Sequence, residues 1–249
     1  MESAPRDIPR RLPRGAHGLD PGVVAASQRT RLLEAVGRAV AEKGYAGATV
    51  DDIVRRAGVS KKTFYDHFRD KLDCFLAAYE AASDELLARL REAQSEQEGW
   101  LERTRAGIVA YLRWLAAEPA LARVFLIEVA AAGPVAAERR ERLRDRYAER
   151  LRDLQDDARA EIPALPRLPD EVFHALVAAV DEVVVRRIRE SGGADLPELE
   201  PVLLHLQVAL LAGPQVAAES AELSSSSAGP ASARPRSSGS SRARRARSG

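Results

Sequence analysis

The chain has 249 residues, enough for one or two domains with cores of their own. Hydrophobic residues make up 45% and aromatics only 5%, a helix-forming composition dominated by alanine, leucine, valine, glutamate and arginine. A net charge of +1 and a single cysteine, Cys74, exclude a polyionic chain and an internal disulfide, and no apolar run approaches the roughly 18 residues of a membrane helix.

In chain order, residues 1–24 hold four prolines and three glycines without an apolar period. They read as a disordered arm, and without an apolar core they do not form a secretory signal. Leu32, Leu33, Val36 and Val40 mark one face of a first helix, which is expected to stop at Lys43-Gly44 on a left-handed glycine. A short second helix begins at Thr49, whose hydroxyl can cap free N–H groups, with Asp51 and Asp52 at the positive helix end. Gly58 ends that helix, Ser60 is placed to cap a third through about Phe68, and Asp70 to cap a long fourth.

Further helices are predicted over Trp100–Ala117, from Pro119 to near Gly133-Pro134, through Leu143 to Ala158, and over Pro169–Ser191 and Pro197–Ala212. No segment alternates as a strand would. Residues 218–249, rich in serine, alanine and arginine, read as a disordered tail. Its RARRAR run suits either nonspecific phosphate binding or solubility. The fold class is therefore all-α.

Charge singles out one segment. Residues 25–75 carry ten cations against seven anions, whereas residues 76–217 carry 18 against 25. All four lysines (Lys43, Lys61, Lys62 and Lys71) fall in the first of these. A positive segment on an acidic body points to a polyanionic partner. The order helix, Ala-Gly-Val-Ser turn, helix (motif about 49–68) is that of a helix-turn-helix, whose second helix enters the DNA major groove. Val59, Phe64 and Phe68 can pack inward. Lys61, Lys62 and Thr63 lie in the first turn, where lysine can donate to guanine and the threonine methyl can touch thymine. Tyr65 and His67 stand where a phosphate would pass, and Lys71 adds a cation to the next helix start. The bland alternatives are solvated lysines, a half-core Tyr65 and a packing His67.

Residues 28–76, and in particular AEKGYAGATVDDIVRRAGVSKKTFYDHFRDKLDCFLAAY, resemble the DNA-binding domain of the tetracycline-repressor (TetR) family. The ordered set Gly44-Tyr45, Thr49-Val50, Ile53, Ala57-Gly58-Val59-Ser60, Thr63-Phe64-Tyr65, His67-Phe68 and Lys71 carries the resemblance. It implies an N-terminal three-helix DNA-binding domain (25–75) followed by a helical-bundle effector-binding and dimerisation domain (76–217). It also implies DNA contacts from Thr49, Ser60, Lys61, Lys62, Thr63, Tyr65, His67 and Lys71, with Tyr65, His67 and Lys71 on backbone phosphates.

The implied function is a sequence-specific regulator, by default a repressor, in the bacterial cytoplasm on the nucleoid. It would be a homodimer on a palindromic double-stranded operator, released by an unknown small-molecule effector. No membrane partner, cofactor or metal is expected. The effector-pocket candidates are Tyr111, Trp114, Phe125, Tyr147, Phe173 and His174, although aromatics at helical spacing also make plain core. Apolar stripes from Val172 to Val184 and from Leu203 to Leu211 are the expected dimer faces, or again core.

Other constellations are weak. Glu171-x-x-His174 has the spacing of a di-iron helix but lacks the second copy such a site needs. Cys74 reads as a core thiol. No acid-base, nucleophile or metal set supports an enzyme. A nonspecific architectural DNA-binding protein is the other alternative.

Overall fold

A computed structural model describes residues 20–218. Its elements follow from the caps. Asp20 accepts the N–H of Gly22 at 2.9 Å and Pro21 sits in the first turn, so α1 (Pro21–Gly47) begins inside the stretch expected as an arm. Residues 21–24 are thus helical, as is Ala218 at the head of the expected tail. The rest of the arm and the tail lie outside the described residues. Leu32, Ala35, Val36, Ala39 and Val40 form the buried stripe of α1. Gly44 (φ 70°, ψ 164°) breaks helical geometry at the expected residue, but not as a left-handed cap, and the helix makes one more turn to Gly47.

Thr49 and Asp52 form a reciprocal capping box on α2 (Val50–Ala57), and Gly58 ends it in the left-handed conformation (φ 64°, ψ 40°). Ser60 caps α3 (Lys61–His67) through the N–H of Thr63 at 3.0 Å. Asp70 caps α4 (Lys71–Ser95) through the N–H of Asp73 at 2.8 Å. Beneath α3, Phe64 is fully buried and Phe68 nearly so. Burial of one such ring is worth about 1.5–3 kcal/mol, which fixes a seven-residue helix too short to stand alone. Arg31 reaches from α1 to the carbonyl of Ala57 at 2.8 Å and ties down the end of α2.

The body follows as α5 (Trp100–Ala117), α6 (Pro119–Leu126), α7 (Pro134–Glu161), α8 (Asp170–Ser191) and α9 (Glu200–Ala212). The single helix expected after Pro119 is two pieces, because a 3-10 turn over Glu128–Ala132 takes its second half. Another 3-10 turn, Leu196–Leu199, precedes α9. Among the described residues there is no strand, and no helix is long and apolar enough to cross a membrane.

One continuous core runs from Leu32 and Phe64 through Phe75 and Leu112 to Val184 and Leu203. Helix α4 packs against both α1 and α5 and so connects the three-helix unit to the body. Cys74 is buried in that core, its thiol pushed up to about 12 by desolvation first, as suits an inert packing group.

Candidate nucleic-acid interface

Helix α3 presents one face to the interior and another to solvent. Lys61, Lys62, Tyr65 and Asp66 are exposed, while Phe64 is buried. Tyr65, 57% exposed, is the most open large ring among the described residues and packs edge-on against Phe64. The two lysines are not equivalent. Lys61 Nζ lies 2.7 Å from Asp51 of α2, and that hydrogen bond raises its pKa. Lys62 has no ion pair among the described residues, so its ammonium is the free cation at the tip of the helix.

Other predicted contacts are partly committed within the fold. The Thr49 hydroxyl accepts the N–H of Asp52 and donates to the Asp52 carboxylate at 2.8 Å. The Ser60 and Thr63 hydroxyls are 2.9 Å apart. His67 is half-buried, and its Nε2 lies 3.4 Å from Gln28 Oε1 of α1.

Lys71 differs most from expectation. Its ammonium donates to the carbonyls of Tyr45 (2.7 Å) and Ala48 (2.8 Å) and sits over the Tyr45 ring. The free carbonyls at the end of α1 attract the cation. Two of its three donors are therefore structural. Sequence reasoning missed Asp51 as the anion holding Lys61, and Arg29, an exposed cation stacked over Phe68 at 5.3 Å. Thr49-x-x-Asp52 carried the signal of the capping box, but nothing local marked Asp51 as a partner of Lys61.

The expected effector pocket divides. Tyr111 and Tyr147 line a cavity of ≈ 80 Å³ between α4, α5, α7, α8 and α9. Trp114 and Phe125 line a separate open groove of ≈ 810 Å³ between α1, α4, α5 and α6. Phe173 is buried among Leu151, Leu154 and Leu176, under the Arg152 guanidinium. His174 is half-exposed, with Asp145 at 3.7 Å. Phe173 and His174 therefore line neither space: the ring fills core between α7 and α8, and the imidazole faces outward. No cluster of metal-ligating side chains occurs among the described residues.

The stripes expected as dimer faces or as core are mostly buried within the chain. Phe173, Leu176, Val184, Leu203, Leu204, Val208 and Leu211 are buried inside the chain. The apolar groups left outside on α9 are Val202 (52% exposed) and Leu210 (39%), with Leu206 and Ala209 half-buried between them.

A capped recognition-type helix on a small helical unit, joined by one long helix to an all-helical body, defines a helix-turn-helix regulator with an appended bundle. Residues 32–78 match the family model for bacterial regulatory proteins of the tetR family. A regulator of Mycobacterium bovis, the uncharacterised HTH-type transcriptional regulator Mb2936c, is 30% identical over 182 residues, 73% of this chain and 91% of that protein. The HTH-type transcriptional repressor AcnR of Corynebacterium diphtheriae is 28% identical over 188 residues, 71% and 87% of the two chains. The crystal structure of the regulator FadR from Bacillus subtilis, in complex with stearoyl-CoA, superposes with a TM-score of 0.66 at 20% identity, over 74% of this chain and 98% of that one. The chain belongs to the tetR family of DNA-binding transcriptional regulators.

Proposed function

We propose that this regulator is a homodimeric repressor that reads a palindromic operator with α3 and leaves it when a small molecule occupies the body. The observation that carries the reading is the outward face of α3: Lys62 unpaired and Tyr65 open to solvent, on a helix anchored from beneath by Phe64 and Phe68. Lys62, Lys61 and Thr63 take base edges. Tyr65, Thr49 and Ser60 hold the backbone, with the remaining donor of Lys71. Repression is supported by the name of AcnR.

One recognition helix of seven residues reads few base pairs, so two-fold symmetry is the physical route to specificity. The face of α9 around Val202, Leu206 and Leu210 is the contact that brings two copies together. Exposed apolar groups in a row cost hydration free energy that a partner surface removes.

Release follows from linkage: a ligand that binds better to a conformation with misplaced recognition helices lowers DNA affinity by that differential. Helix α4 transmits the change, since it lines the Tyr111–Tyr147 cavity through Leu90 and Gln94 and carries Lys71 at its other end.

The test is fluorescence anisotropy on DNA from upstream of the chain's own gene, with a shuffled sequence of equal composition as competitor. The expected preference is on the order of a thousandfold or more. Equal affinity for both would support a nonspecific architectural protein instead.

A further inference from the structure

The cavity beside Tyr111 and Tyr147 has a mostly apolar wall, including Leu90, Ile108, Leu151 and Val177. Its polar groups are unequally satisfied. Thr104 donates to the carbonyl of Trp100 at 2.8 Å. Asp181 accepts from Arg140 at 3.2 Å and from Arg144 at 2.9 Å. The Tyr147 hydroxyl and Arg150 Nε are different: both atoms are buried and neither has a hydrogen-bond partner. They stand three residues apart on α7 and so share one helix face.

The far side of the Arg150 guanidinium is held, because Nη2 donates to the carboxamide of Gln94. Gln94 in turn lies over Gly107, where an added Cβ would come within 2.6 Å of its Nε2. The nearest carboxylate to Arg150, that of Asp153, is 3.8 Å away and 71% exposed. Desolvation, the largest cause, lowers the pKa of Arg150, and Asp153 and Asp157 offset it only in part. A buried guanidinium N–H without an acceptor is unfavourable, and a ligand anion would satisfy it.

We infer that this cavity binds a small apolar monocarboxylate, whose carboxylate accepts hydrogen bonds from Arg150 Nε and the Tyr147 hydroxyl while its hydrocarbon part lies against Ile108, Leu151 and Val177. The inference rests on the reading of the body as effector-binding and gives that effector a chemical class. Charge-assisted bonds from a planar guanidinium suit a carboxylate better than an amide or alcohol. Size narrows the class further. The cavity is ≈ 80 Å³, and one water-sized sphere takes about 10–15 Å³. Roughly five to eight non-hydrogen atoms therefore fit, a carboxylate of about three to six carbons.

Isothermal titration of the full-length protein with sodium butanoate, pentanoate and hexanoate, and with hexanamide as the uncharged control, tests this. At least one acid is expected to bind about tenfold or more tightly than the amide. Arg150→Met should erase that preference. Because Arg150→Met also strips Gln94 of its partner, Tyr147→Phe serves as the second variant. It removes a hydroxyl with no internal partner, so the fold is kept, and the acid should weaken about three- to tenfold while the amide is unchanged. Absence of acid binding, equal affinity for acid and amide, or unaltered acid affinity in both variants overturns the inference. Acid binding that leaves DNA affinity unchanged upholds the carboxylate site and contradicts release by an effector. DNA release by an unrelated ligand, without acid binding, overturns the carboxylate site and leaves the regulator reading standing.

Discussion

The carboxylate of Glu128, in the 3-10 turn after α6, accepts the backbone N–H of Tyr45 at 3.2 Å. Tyr45 follows the Gly44 break in α1, so its N–H starts a new helical turn and needs an acceptor from elsewhere. The body supplies it. A second link between the same regions, Arg38–Glu118 at 3.2 Å, is half-exposed at both ends. Glu128→Ala should therefore cost about 1–3 kcal/mol, because a half-buried N–H is left unpaired. Arg38→Ala should stay within about 0.5 kcal/mol. Urea denaturation of both variants measures the difference. Equal effects would show that Glu128 does not anchor the break.

Asp51 holds Lys61 at 2.7 Å on the surface proposed to meet DNA. It therefore withholds one cation from the duplex and adds an anion near its phosphates. Asp51→Asn should raise affinity for all duplex DNA several-fold and steepen the salt dependence by up to about one counter-ion. Anisotropy titrations across a salt series read both. Unchanged affinity would mean that Lys61 points away from the duplex in the complex.

Lys71 makes a different claim. Its ammonium closes the carbonyl end of α1 at Tyr45 and Ala48. Lys71→Met should lower stability by about 1–3 kcal/mol, since it leaves these acceptors unpaired. Lys62→Ala, on an exposed and unpaired side chain, should leave stability within about 0.5 kcal/mol. Thermal melts without DNA separate the two. A stable Lys71→Met variant would return Lys71 to a purely phosphate-binding role.

The carboxylate of Asp52 is held well below the usual range, first by the hydrogen bond from Lys43 (2.6 Å) and then by that from Thr49. A depressed folded pKa stabilises the fold above the unfolded value, about 3.9. That contribution is lost progressively as pH falls from there through the folded value. The wild-type protein should therefore lose stability more steeply below about pH 4 than Asp52→Asn, as followed by circular dichroism. Parallel acid-unfolding curves would contradict the assignment.

What was legible in the sequence was local. Thr49, Ser60 and Asp70 cap the helices they precede, because capping depends on residues within one turn. Gly58 and the Phe64–Phe68 anchor were legible for the same reason. The start of α1 was not, because a proline- and glycine-rich stretch hid an Asp-Pro cap at residues 20–21.

What depended on side chains meeting across the fold escaped. The Lys71 carbonyls lie 23 and 26 residues away, and Asp51 and Lys61 meet only because the turn folds α3 back on α2. The six aromatic and histidine candidates for a pocket were chosen by type and period, which cannot tell a cavity wall from core. The structure distributes them between a cavity, a groove, the core and the surface. The same ambiguity left the apolar stripes of α8 and α9 readable as dimer face or as core; most of their residues are buried within the chain, while Val202 and Leu210 stay exposed.

The central claim is that α3 reads bases. Binding-site selection from a randomised duplex library, run with the wild-type protein and with Lys62→Ala, tests it most directly. The wild-type protein should select a palindrome. Lys62→Ala should relax preference at one or two base pairs, mirrored in both half-sites, with about 1–3 kcal/mol less discrimination there. A uniform loss of affinity across all sequences would show that Lys62 serves only the phosphates, and the absence of any selected sequence would contradict base readout by α3.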